Sequence, residues 1–96
     1  MITIDQEDLK MVISILKKHI PDRQVVVFGS RVTGKAKPYS DLDLAILGDQ
    51  LVPSDTLAFL REDFSQFTLP FRVDLVEWAM TGPEFRKIIQ KHHHPL

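Results

Sequence analysis

Phe28-Gly29-Ser30-Arg31-Val32-Thr33-Gly34, followed shortly by Ser40-Asp41-Leu42-Asp43-Leu44, is the stretch on which the fold turns. Just upstream, Gln24-Val25-Val26-Val27-Phe28 is a short β-branched run that reads as a buried strand. It stops at Gly29. A chain turning sharply from a strand into a helical turn needs glycine there, because other residues strain at positive φ. The amides beyond such a turn point outward and can hold phosphate oxygens, as helix N-termini do. The Ser30 hydroxyl adds a hydrogen bond, and Arg31 or Lys35 a countercharge. Ser30 to Ser40 is otherwise polar, a loop that opens with one helical turn.

Leu42 to Leu47 reads as the second strand, closed by Gly48-Asp49. Side chains alternate along a strand, so Asp41 and Asp43 project from one side while Leu42 and Leu44 face the core. Their Cα atoms would lie roughly 6–7 Å apart. Carboxylates that close repel each other, and ionising both costs free energy unless a cation sits between them. Hard divalent ions such as Mg²⁺ take carboxylate and phosphate oxygens together, so an Asp-x-Asp edge can hold a metal–triphosphate. Asp74, in Arg72-Val73-Asp74-Leu75-Val76, is the candidate third ligand; Val73 and Leu75 take the core face and Asp74 the other. Two-metal sites hold ions about 3.5–4 Å apart and need more carboxylates than one pair offers. The competing reading of Asp74 is an exposed strand acid paired with Arg72.

Working outward, Leu9, Val12, Ile13, Leu16 and Ile20 recur at helical spacing between Asp5 and Pro21. Ser54 can cap another helix, with Leu57, Leu60, Phe64 and Phe67 on one face. Phe71 to Trp78 alternates as a third strand. Thr81-Gly82-Pro83-Glu84 has capping-box form and predicts a last helix with Phe85, Ile88 and Ile89 inward. His92-His93-His94 reads as a solvated tail. The order α-β-β-α-β-α predicts an α/β (α+β) domain over residues 1–96, a small mixed sheet packed by helices.

Composition bounds the function. At 96 residues with 44% hydrophobic and 26% charged, the chain is of ordinary globular make-up and suits one domain. Net charge −1 gives no electrostatic footprint for nucleic acid, though a metal ion can supply positive charge locally. Without cysteine, disulfides and thiolate zinc sites are excluded. No apolar run nears the ~20 residues of a membrane helix, and the acidic start is unlike a signal peptide, so the expected location is cytoplasmic. Gly29 to Ala36 falls one residue short of a Walker A loop: Ala36 stands where that loop needs a metal-binding hydroxyl, and Pro38 obstructs the following helix.

At these residues the chain resembles the minimal nucleotidyltransferases of the DNA polymerase β superfamily, whose pattern is Gly-Ser, ten residues, then Asp-x-Asp. Residues 31–40 separate Gly29-Ser30 from Asp41-Leu42-Asp43 here. The resemblance implies a polymerase-β-like nucleotidyltransferase fold and transfer of AMP from ATP to a hydroxyl. It implies two Mg²⁺ ions on Asp41, Asp43 and Asp74, with Gly29, Ser30 and Arg31 at the nucleotide. Such small proteins are similar to antitoxins that modify a helical HEPN-type toxin partner, with assembly as a homo- or hetero-oligomer left open. Many members carry Arg where this chain has Thr33, which removes a phosphate contact. The alternative is a binding-only antitoxin or regulatory module.

Overall fold

The computed structural model describes residues 2–66 and 69–96. Helix α1, Gln6–His19, starts where Asp5 accepts the Glu7 amide at 2.9 Å, and ends on Lys17, Lys18 and His19. Both ends suit the helix dipole. Strand β1, Val25–Phe28, is followed at once by the single turn α2, Ser30–Thr33. Then come β2, Leu42–Ile46, and helix α3, Ser54–Gln66. Strand β3, Val73–Glu77, leads into a 3₁₀ turn at Trp78–Met80, helix α4, Pro83–Lys91, and a short strand β4, His93–Pro95.

The sheet order is β3-β2-β1-β4, with β2 and β3 parallel and the other pairs antiparallel. One face carries Val25, Val27, Leu42, Leu44 and Ile46, packed on Val12, Ile15 and Leu16 of α1 and on Leu60 and Phe64 of α3. The other carries Val26, Phe28 and Ala45 under Ile89 of α4. Helices thus cover one face fully and the other only in part, which leaves room for a site. No helix of the described residues is long and apolar enough to cross a membrane.

Several expectations change at the C-terminal end. His93 and His94 stay exposed but do not form a free tail: their backbones pair with Phe28 and Val27, because β1 offers an open edge of donors and acceptors. The capping box does not form. Gly82 caps α4 with no side-chain bond, and Thr81 Oγ1 instead donates to the Trp78 carbonyl at 2.7 Å. Ile89 is buried and Phe85, though partly open, packs its ring edge-on against Phe28, but Ile88 is exposed. Ser54 lies inside α3, and the Leu57 amide bonds the Pro53 carbonyl behind it. Ile15 joins the α1 core, and Phe67 lies outside the described residues.

Candidate active site

The site stands on the sheet face away from α1 and α3. Register builds it: Phe28 lies beside Asp43, and Asp43 beside Asp74. Asp41, just ahead of β2, shares the phase of Asp43. Leu42 and Leu44, buried completely on the opposite face, fix that phase. A one-residue slip would send the leucines into water and the acids into the core. The Leu42 amide donates to the Arg72 carbonyl at 2.8 Å, which sets the start of β3 beside Asp41. The three acids singled out by the sequence therefore meet on one surface.

Burial, followed by the charges of Asp74 and then Asp41, pushes the Asp43 carboxyl above its ordinary range. Arg72 is a basic group next to these acids: its Nη2 lies 3.5 Å from Asp74 Oδ1 and 3.9 Å from Asp41 Oδ2. Among the described residues no basic side chain pairs with Asp43. Nor, among them, do three His, Cys, Asp or Glu side chains close into a metal cage. Mg²⁺ does not require one, since it keeps waters and takes substrate phosphates beside one or two carboxylates. All-oxygen donors on one face, with an uncompensated carboxylate between two others, fit such an ion.

Gly29 serves the site twice. Its φ of 81° and ψ of −154° lie in a region essentially closed to other residues. A Cβ there would also collide with Asp43 Oδ2, so the carboxylate packs directly on the glycine backbone. The Gly29 carbonyl accepts the Val32 and Thr33 amides at 3.0 and 3.2 Å, forming the turn that carries Ser30. Ser30, at the first position of α2, stands where the amides have no carbonyl a turn behind them.

Arg31, expected at the nucleotide, is buried here against the chain's own carbonyls. Only 4% exposed, it donates from Nε and Nη2 to the Ser40 carbonyl at 3.1 and 2.6 Å. Nη1 donates to Thr3 O at 2.7 Å and Nη2 to Pro38 O at 3.2 Å, with the guanidinium 4.4 Å over the Phe71 ring. Its donors are spent on the chain's own carbonyls, bracing the loop that delivers Asp41. Tyr39 is 80% exposed on that loop and Lys35 is exposed. The 860 Å³ groove by Tyr39, Lys37, Pro38 and Phe71 does not include the acids. Asp74 and Arg72 line a separate hollow of about 400 Å³ with Arg61, Phe64 and Leu69. Sequence reasoning missed the reach of Arg72 to Asp41; the readable signal was its two-residue offset from Asp74, which puts both on one strand face.

A mixed sheet with a Gly-Ser turn set against in-register acids on parallel neighbours defines a nucleotidyltransferase. The chain belongs to the nucleotidyltransferase domain family, whose sequence model matches residues 9–95. It is 53% identical over 90 residues to the probable protein adenylyltransferase MntA of Haemophilus influenzae, covering 92% of this chain and 77% of that one. Among solved structures it is similar to a toxin–antitoxin with AMP-PNP, at TM-score 0.73 and 22% identity, covering 90% of this chain and 69% of that one. The toxin–antitoxin MntA–HepT complex matches at TM-score 0.68 and 20% identity, covering 95% and 70%. At those identities the structures show the fold.

Proposed function

We propose that this nucleotidyltransferase is a protein adenylyltransferase acting as the antitoxin of a toxin–antitoxin pair in the cytoplasm. It moves AMP from ATP to a hydroxyl of a HEPN-type toxin. The observation that carries this reading is the register of Asp43 with Asp74, with Asp43 seated on Gly29 of the Gly-Ser turn. The names of the relatives support the choice of acceptor: one is a probable protein adenylyltransferase, and two solved neighbours are toxin–antitoxin structures.

Asp41, Asp43 and Asp74 would hold two Mg²⁺ ions, which supply charge neutralisation at the triphosphate and acidify the acceptor hydroxyl. The amides and hydroxyl at Ser30 orient the phosphates, with the Gly29 backbone close behind. Asp74, half-exposed on the strand next to Asp43, takes the acceptor proton. The acceptor oxygen bonds the α-phosphorus, the bond to the bridging oxygen breaks, and pyrophosphate leaves. Positioning and electrostatic stabilisation supply most of the rate.

Incubation of the protein with Mg²⁺, α-labelled ATP and its helical partner should label the partner. Asp43→Ala should abolish the label. Neutralisation of the toxin by Asp43→Ala without labelling would overturn the catalytic reading in favour of the binding-only antitoxin.

A further inference from the structure

Arg72 has no part in the mechanism above, yet its guanidinium stands among the acids. Two independent placements put it there. Arg72 and Asp74 are two residues apart and share a strand face. The Arg72 carbonyl is bonded to the Leu42 amide at 2.8 Å, which brings its Cα beside the residue that follows Asp41. The result is one Nη2 reaching Asp74 Oδ1 at 3.5 Å and Asp41 Oδ2 at 3.9 Å, with Asp43 between them left uncompensated. Arg72 is itself 79% exposed, so the side chain is held by these carboxylates rather than by packing.

We propose that Arg72 is a resident counter-cation: it offsets part of the charge of the Asp41–Asp74 pair in the metal-free protein and competes with a divalent ion for that face. This rests on the metal-site reading above and adds a competitor to it. A guanidinium and a divalent ion set on the same two carboxylates repel each other across a few ångströms, and each lowers the negative potential that attracts the other. Arg72 therefore weakens binding of the bare ion while keeping the empty acid face from repelling itself. Because the competing charges are exposed, the competition is screened by salt.

The test is direct titration of the full chain with Mn²⁺ and no nucleotide, reading free Mn²⁺ by electron paramagnetic resonance. Arg72→Gln should bind Mn²⁺ about three- to tenfold more tightly than the wild type at low ionic strength, the scale of two exposed ion pairs. Arg72→Lys, which keeps the charge, should stay near wild type. The gap between wild type and Arg72→Gln should close in high salt. Equal or weaker Mn²⁺ binding by Arg72→Gln, with wild-type binding intact, overturns the role of Arg72 alone. If neither protein binds Mn²⁺, with or without ATP, the metal site itself falls and the proposal with it. A gap that survives high salt would mean that Arg72 acts through structure, which also overturns the proposal.

Discussion

At the residue scale the acids pull against the fold that carries them. Asp43 is raised by burial, Asp74 and Asp41, so its proton is held more tightly folded than unfolded. That contribution to stability is present at low pH and lost as pH rises through the folded value. In EDTA at neutral pH, Asp43→Asn should therefore melt a few degrees higher than wild type, and the gain should shrink on acidification. A lower melting temperature for the variant would mean that the carboxylate is structural. Gly29→Ala meets both a closed backbone region and Asp43 Oδ2, and should cost about 1–3 kcal/mol in chemical denaturation. Arg31→Met strands the carbonyls of Thr3, Pro38 and Ser40 and should cost about 2–4 kcal/mol. A merely phosphate-binding Arg31 would leave unfolding unchanged without ATP. The acids were legible in the sequence because strand phase is a local property. The direction of Arg31 was not, since its acceptors lie on segments the motif does not contain.

At the element scale, one side-chain link ties α1 to α3 away from the acids. Asp63 accepts from His19 Nε2 at 2.6 Å and from Lys18 Nζ at 3.2 Å. The His19 hydrogen bond, then that of Lys18, holds the Asp63 carboxyl below its ordinary range. Its contribution is present at neutral pH and lost as pH falls through the folded value, opposite in sign to Asp43. Asp63→Asn should lower the melting temperature at pH 7 and match wild type in strong acid; a deficit that persists there would point to packing. The helices and first three strands follow from periodicity and β-branched runs. Strand β4 could not be read, because His-His-Pro has no strand pattern of its own. It is ordered by the edge of β1 and by the Leu96 amide on Val25 O at 3.0 Å. Ile88 is the exposed one of the three apolar residues expected inward on α4: Ile89 is buried, and Phe85 sets its ring edge-on against Phe28 of β1, 5.8 Å between centroids, while part of it stays open to solvent.

At the scale of the whole molecule, the sheet has one covered face and one that α4 covers only in part. The acids occupy the open part, and only Asp74 of the three also lines a hollow, about 400 Å³, shared with Arg61 and Phe64 of α3. Under the proposed function, a macromolecular acceptor docks from outside and brings its hydroxyl to Asp74, with ATP held beforehand by the Gly29–Ser30 turn and the acids. Two readouts separate these steps. Co-expression with the helical partner should give a complex for wild type and for Asp74→Asn, because docking needs surface and not chemistry. Intact mass should show AMP added to the partner only with wild type, and Asp74→Asn should lower the rate by about 10²–10⁴-fold, the range of general-base catalysis. Mg²⁺ with ATP at 100 times its dissociation constant should meanwhile stabilise wild type by about 2.7 kcal/mol. If Asp74→Asn modifies its partner at the wild-type rate, the reaction needs neither the base nor the charge of Asp74, and Asp74 leaves the catalytic set.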